Sequence, residues 1–135
     1  MPNKEPSATL KFGLKATTID KIISVLVQYP EVESAIVYGS RAKGNYRPGS
    51  DIDLTLTGSE LAYNTLLRID TKIDDLLLPY LFDISLLRQI SNPDVVDHIR
   101  RIGIPLYEKA LYEEQSKKGQ SGNPAQTLLT DKVST

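Results

Sequence analysis

The stretch GSRAKGNYRPGSDIDLTL, residues 39–56, constrains the fold of this chain more than any other feature. It ends in a strand pattern. Because side chains of a strand point alternately to opposite faces, Asp51 and Asp53 share one face while Ile52, Leu54 and Leu56 share the other. Two like charges side by side repel each other, so we expect a strand that carries both to need them for function. The pattern therefore predicts a sheet with one buried apolar face and one face that carries carboxylates.

The sequence around this stretch predicts helices that alternate with strands. Thr17 or Thr18 can cap a first helix that Pro30 ends. Asn92 and Pro93 are the residue types favoured at the cap and first position of a later helix. The predicted elements are a helix at 17–29, a strand at 35–38, a helical turn at 40–44, a strand at 50–57, a helix from Ser59 to before Pro79, a strand at 80–87, a helix from Pro93 to before Gly103, and a short edge strand at 104–108.

The third predicted strand, YLFDISLL, repeats the pattern of the second. Phe82, Ile84 and Leu86 lie on one face, and Asp83 and Ser85 lie on the other. Alternating strands and helices favour an α/β or α+β fold, a small mixed β-sheet flanked by helices, whose carboxylate-bearing face is the functional side. We expect an N-terminal extension at 1–16, one domain at 17–112 and a flexible tail at 113–135.

Composition, net charge and cysteine content argue against several classes of protein. With 135 residues, 40% of them hydrophobic, the chain suffices for one globular core. The net charge of −1 argues against direct nucleic-acid binding by broad phosphate neutralisation. Absence of cysteine excludes disulfides and thiolate metal sites. No segment approaches the length of a membrane span, and the N-terminus lacks the apolar stretch of a signal peptide, so we expect a cytoplasmic protein without membrane contact.

The carboxylates are candidate ligands for a metal ion. Asp51 and Asp53 on one strand, with Asp83 on a strand that can lie beside it, offer the oxygen ligands that Mg²⁺ prefers and leave positions for substrate phosphates. Asp83 has a second possible role, as the general base for an attacking hydroxyl. We therefore predict these three residues as the catalytic, metal-binding set.

The segment before the carboxylates is suited to hold phosphates. Gly39 allows close approach of the backbone, and Ser40 offers a hydroxyl and an amide at the start of a helical turn, which favours anions. Arg41, Lys43 and Arg47 add positive charge. Gly39, Ser40 and Arg41 are therefore the predicted nucleotide-binding residues, although a basic loop in solvent would show the same charges.

The sequence allows more than one role for the single histidine and for two tyrosines of the motif region. His98 is the only histidine, but the apolar residues around it, Val95, Ile99 and Ile102, indicate a surface or helix-packing role. Tyr38 and Tyr46 lie close to the motif in sequence, where core packing and contact with a nucleotide are both open.

Gly39-Ser40, ten intervening residues and Asp51-x-Asp53 resemble the signature of the DNA polymerase beta-like nucleotidyltransferase superfamily, and the run GSRAKGNYRPGSDIDL is most similar to its minimal nucleotidyltransferase (MNT) branch. The resemblance covers residues 17–109, including the IRRIGIPLYE ending. It implies the fold of that superfamily, ATP as substrate, phosphates on Gly39 and Ser40, Mg²⁺ on Asp51 and Asp53, and a third aspartate at Asp83.

The resemblance also implies a biological role, because many MNT proteins are antitoxins encoded beside a HEPN-domain toxin. The implied activity is transfer of AMP from ATP to a tyrosine hydroxyl of that partner ribonuclease, which neutralises it. Since the sequence has few residues beyond one α/β unit, we expect the acceptor to arrive on the partner. Two alternatives stay open: an antitoxin that masks the toxin by binding alone, and a nucleotidyltransferase for a small molecule of the aminoglycoside type.

Overall fold

A four-stranded mixed sheet forms the centre of the protein. The computed structural model describes residues 10–121. The elements are, in chain order, β1 (Leu10–Lys11), β2 (Leu14–Lys15), α1 (Ala16–Leu26), β3 (Ser34–Tyr38), α2 (Gly39–Lys43), β4 (Ile52–Thr57), α3 (Tyr63–Asp74), β5 (Phe82–Leu86), α4 (Pro93–Ile102), β6 (Ile104–Glu108) and α5 (Lys109–Ser121). The predicted fold class, a small mixed sheet flanked by helices, is confirmed.

The strands lie in the order β5-β4-β3-β6. Strand β3 is antiparallel to both neighbours, β4 and β6, whereas β4 and β5 are parallel and are joined by the crossover helix α3. The prediction of a central strand at residues 35–38 and of an edge strand at 104–108 is therefore confirmed. The parallel pairing of β4 with β5 matters most for the site, because it places Asp53 beside Asp83.

One face of the sheet is buried beneath α1 and α3. Apolar residues at every second position of the strands meet the apolar stripes of these two helices, and this alternation is what the sequence pattern predicts. The buried residues of this core include Ile22, Val25, Leu26, Ala35, Val37, Ile52, Leu54, Leu56, Leu66, Ile69, Ile73 and Leu86. Burial of this face supplies the main driving force for folding.

Helix α4 lies over the other face of the sheet and is fixed at both ends. At its start the Asn92 side chain accepts a hydrogen bond of 2.9 Å from the amide of Asp94, and Pro93 occupies the first turn, as predicted. At its end Gly103 passes so close to Ile36 of β3 that a β-carbon there would collide with it. The Asn92 cap thus defines where α4 begins, and the absence of a side chain at Gly103 lets its end approach β3 closely.

The structure differs from the sequence prediction near the N-terminus. Residues 10–15, predicted as part of an extension, form the hairpin of β1 and β2, and Phe12 and Leu14 are buried in the core. Because strands of two residues are too short to show a period-two pattern, the hairpin could not be predicted from alternation.

The crossover helix also begins later than predicted. Helix α3 starts at Tyr63 and not at Ser59. The amide of Ser59 donates 3.1 Å to the Glu33 carboxylate, and Leu61 is fully buried, so the chain turns inward before the helix starts.

The first residues of the predicted tail, 113–121, belong to a helix. Residues 109–121 form α5, whose sequence is rich in good helix formers, and Tyr112 packs on Tyr107 with ring centroids 5.7 Å apart. Residues 1–9 and 122–135, which include most of the predicted tail, lie outside the described residues. Between residues 10 and 121, no helix is both long and apolar enough to cross a membrane.

Candidate active site

Three polar side chains form a row across the face of the sheet opposite α1 and α3. Tyr38 of β3 pairs with Asp53 of β4, and Asp53 pairs with Asp83 of β5. Because residues paired across neighbouring strands point to the same face, the structure brings the two predicted carboxylates together from 30 positions apart in sequence. This row is the centre of the candidate site.

Hydroxyl side chains continue the polar face behind this row. Ser85 donates to the Thr55 hydroxyl at 2.9 Å, and the hydroxyls of Ser34 and Thr57 lie 2.6 Å apart. Thr55 is fully buried, so its hydrogen bond to Ser85 satisfies a polar group that would otherwise be costly to bury. The face is therefore polar along three strands, and its charged end is at Asp53 and Asp83.

The carboxylates repel one another. Burial raises the pKa of Asp53, and the negative charges of Asp83 and Asp51 raise it further, while His98 opposes the shift. Asp51 lies just before β4 and is exposed, as is Asp83. A half-buried carboxylate between two other acidic groups is stabilised in its charged form by a cation.

This donor set fits Mg²⁺. Carboxylate oxygens on Asp51, Asp53 and Asp83 are the ligands that this hard cation prefers, and their mutual repulsion is what a divalent ion offsets. Among residues 10–121 no three acidic or histidine side chains are clustered tightly enough to form a complete metal site by themselves. Protein ligands for Mg²⁺ are normally one or two carboxylates completed by water and substrate phosphates, so an incomplete protein set is compatible with this ion.

The Gly39-Ser40 turn lies directly against Asp53. Gly39 has a left-handed backbone, with φ of +72°, and a β-carbon there would collide with Oδ2 of Asp53. Helix α2 begins at Gly39, so the amides of its first turn have no acceptor within the helix. The predicted phosphate-binding residues and the predicted metal ligands are therefore adjacent, and only glycine fits between them.

Arg41 makes contacts away from this turn. Its side chain is only 2% exposed, and its guanidinium donates to the carbonyls of Phe12 (2.9 Å), Pro48 (3.2 Å) and Ser50 (2.8 Å). It also lies between the rings of Tyr46 and Tyr80, 5.2 and 5.1 Å from their centroids. These contacts tie the hairpin to the loop that leads to Asp51.

The prediction that Arg41 binds the nucleotide thus has no support from its contacts, which are those of a residue that orders a loop. The other basic residues of the segment, Lys43 and Arg47, are exposed. Tyr46 packs on Arg41. No local pattern could have shown this, because the acceptors are backbone carbonyls of the hairpin and of the loop before β4.

His98 is the residue at the site that sequence reasoning missed. Its Nε2 accepts a hydrogen bond of 3.0 Å from the Gly39 amide, and its ring meets that of Tyr38 edge-on at 6.2 Å. Burial is the main cause of a raised pKa at Tyr38, a hydrogen bond with Ser85 opposes it, and the charges of Asp83 and Asp53 add to it. The helical spacing around His98 indicated packing, and only the position of α4 over β3 shows that it reaches the turn.

Comparison with known proteins agrees with this geometry. The sequence matches the family described as Polymerase beta, Nucleotidyltransferase over residues 20–111. No curated protein matches the sequence.

Several solved structures share the fold. A toxin-antitoxin with AMP-PNP is 19% identical with a TM-score of 0.56, and the match covers 87% of this chain and 98% of that one. The toxin-antitoxin MntA-HepT is 17% identical with a TM-score of 0.53, over 90% of this chain and 100% of that one. A tri-AMPylated Shewanella oneidensis HEPN toxin in complex with MNT antitoxin is 17% identical with a TM-score of 0.52, and the match covers 88% of this chain and 98% of that one.

The resemblance noted in the sequence is confirmed at the level of the superfamily and its fold. The matched region spans β3, α2, β4 and β5, and so includes Gly39, Asp53 and Asp83. Since this match extends over most of its length, the chain belongs to the polymerase beta nucleotidyltransferase family.

Proposed function

We propose that this protein is a Mg²⁺-dependent nucleotidyltransferase that acts as an antitoxin, transferring AMP from ATP to a tyrosine hydroxyl of a partner HEPN toxin. The observation that carries the proposal is the row of Asp53 and Asp83 in register beside the Gly39-Ser40 turn. The shared fold with an MNT antitoxin in complex with a tri-AMPylated HEPN toxin supports the choice of acceptor.

Different residues bind the triphosphate and the metal ion. The triphosphate lies over the Gly39-Ser40 turn, where the amide and the hydroxyl of Ser40, in the first turn of α2, are donors. Asp51, Asp53 and Asp83 would hold Mg²⁺, which neutralises charge on the phosphates when bound. Positioning of the reactants and neutralisation of charge account for most of the rate acceleration in such a site.

The transfer exchanges one bond to phosphorus for another. The acceptor oxygen forms a bond to the α-phosphorus of ATP, and the bond from that phosphorus to the bridging oxygen of the β-phosphate breaks. Pyrophosphate leaves with the electron pair, and the hydroxyl proton passes to Asp83 or to water. Asp83 is exposed at the second position of edge strand β5, so a hydroxyl carried by another protein can reach it.

Exposed apolar side chains in the connection that leads to Asp83 favour a protein as the acceptor. Leu81, two residues before Asp83, is 75% exposed, and Leu77 in the same connection is 87% exposed. Large exposed apolar residues next to a site are typical of surfaces that bind other proteins. A small, polar acceptor such as an aminoglycoside would not bind through apolar side chains of this kind.

Mass spectrometry of the partner tests the proposal. The chain is incubated with ATP, Mg²⁺ and the HEPN protein encoded beside it, and we expect the partner to gain the mass of one or more AMP groups on tyrosine. The double variant Asp51→Asn/Asp53→Asn should bind the partner without adding AMP. Tight binding by the unmodified chain with no gain of mass would replace the enzymatic proposal by masking alone, and turnover of an aminoglycoside in place of the partner would indicate the small-molecule alternative.

A further inference from the structure

Helix α4 supplies a hydrogen-bond acceptor to the nucleotide-binding turn. Nε2 of His98 accepts 3.0 Å from the amide of Gly39, a residue 59 positions away in sequence. Nothing in the signature of Gly39, Ser40 and the two aspartates requires a residue at this place. His98 therefore needs an explanation of its own.

The turn lacks an acceptor from its own segment. Tyr38 occupies the N-cap position of α2, and its side chain makes no capping hydrogen bond. An uncapped helix start leaves its first amides unsatisfied, and a helix of five residues is too short to be stable by itself. His98 takes the place of the missing cap from another element of the fold.

The position of His98 is itself well defined. The Asn92 cap defines where α4 begins, and Gly103 at its end lies close against Ile36 of β3. The edge-on contact with Tyr38 orients the imidazole ring. A ring held in this way constrains the amide that donates to it, and so constrains the peptide that follows.

We propose, building on the function proposed above, that His98 is a positioning residue of the nucleotide site. By accepting from the Gly39 amide it holds the left-handed Gly39 and aims the amide and hydroxyl of Ser40 at the phosphates. With the Gly39 amide so engaged, Ser40 supplies the donors that meet the nucleotide. His98 itself does not touch the reacting atoms.

Three variants test this role. His98→Phe keeps an aromatic ring and removes the acceptor, whereas His98→Gln places an oxygen at the reach of Nε2 and should restore the hydrogen bond. Arg101→Ala, at an exposed position of the same helix whose partner is Asp97, is the matched control. The unfolding temperature of each variant identifies any that fail to fold.

The first readout is nucleotide binding. Titration of each variant with Mg²⁺ and a non-hydrolysable ATP analogue should show affinity about 10-fold weaker for His98→Phe, a loss typical of removing a supporting partner, and near the original for His98→Gln and Arg101→Ala. Equal affinity in His98→Phe and the unmodified chain overturns the inference. Tighter binding by His98→Phe overturns it too, since His98 would then compete with phosphate for the Gly39 amide.

The second readout does not depend on the nucleotide. Hydrogen exchange of the Gly39 amide, measured by NMR without ligand, should be about 10-fold faster in His98→Phe and unchanged in His98→Gln, because the hydrogen bond protects this amide. Unchanged exchange in His98→Phe would contradict the cap. Absence of nucleotide binding by the unmodified chain would instead overturn the proposed function, and exchange at Gly39 would still decide whether His98 positions the turn.

Discussion

The two faces of the sheet show how one strand serves stability and chemistry at once. On β4, Leu54 and Leu56 are buried against the helices α1 and α3, while Asp53, between Ile52 and Leu54, points to the opposite face and the Gly39 turn. A shift of one residue would exchange the two sets of side chains. The apolar face specifies the register, and the register in turn sets Asp53 beside Asp83. The polar face can therefore hold repelling charges because the other face stabilises the fold.

The largest expected effect is on the polar face. Asp53→Asn should lower the rate of AMP transfer by about 10²–10³-fold or more, because a carboxylate that would hold Mg²⁺ beside the reacting phosphate is lost. Its free energy of unfolding should not fall, since the change removes a half-buried charge that Asp83 and Asp51 repel. Initial rates and denaturant unfolding measure the two quantities. A stability loss comparable with that of a core variant would contradict the division between faces.

The opposite result is expected on the buried face. Leu54→Ala removes a fully buried side chain and should lower the free energy of unfolding by about 2–5 kcal/mol. Transfer per folded molecule should be retained at temperatures where circular dichroism shows the variant to be folded. A rate loss as large as that of Asp53→Asn under those conditions would show that the faces are not separable.

Arg41 tests a region that supports both faces. Arg41→Lys replaces a planar group that bonds to three carbonyls by one that cannot reach all of them, so we expect a loss of about 1–3 kcal/mol in the free energy of unfolding. Lys43→Met, at an exposed position of the same helix, is the control and should change stability by less than about 0.5 kcal/mol. Retained stability with sharply weaker ATP binding would restore Arg41 as a nucleotide ligand.

The smallest expected effect is the pH dependence that Asp53 contributes. Its folded-state pKa lies above the ordinary value of 3.8, so the folded state favours the protonated acid. The stability it contributes is present below that ordinary value and is lost as the pH rises through the raised pKa. We therefore measure the free energy of unfolding in the presence of a chelator as the pH is raised from 3 to 7. It should decrease less for Asp53→Asn than for the unmodified chain. Parallel curves would mean that Asp53 is unperturbed.

The sequence predicted best what depends on local pattern. Period-two alternation identified β4 and β5, and the types of Asn92 and Pro93 identified the start of α4. The alternation also indicated that Asp53 and Asp83 lie opposite the apolar face. Pairing of β4 with β5 then follows from the topology, which no local pattern contains.

What could not be predicted depends on contacts between distant segments. The cap that His98 gives to Gly39 requires α4 to lie over β3, and the contacts of Arg41 require the N-terminal hairpin to meet the loop before β4. In sequence a lone histidine on an amphipathic helix and an arginine in a basic loop have more ordinary interpretations. Their roles are decided by distances in space, for which residue type gives no signal.

The central claim is that the polar face, at Asp53 and the Gly39 turn, binds nucleotide together with a divalent ion. Calorimetric titration with a non-hydrolysable ATP analogue, with Mg²⁺ and with chelator, tests it most directly when the unmodified chain is compared with Asp53→Asn. We predict binding that requires Mg²⁺ and is lost in the variant. Binding of equal strength in chelator, or in Asp53→Asn, would contradict the claim.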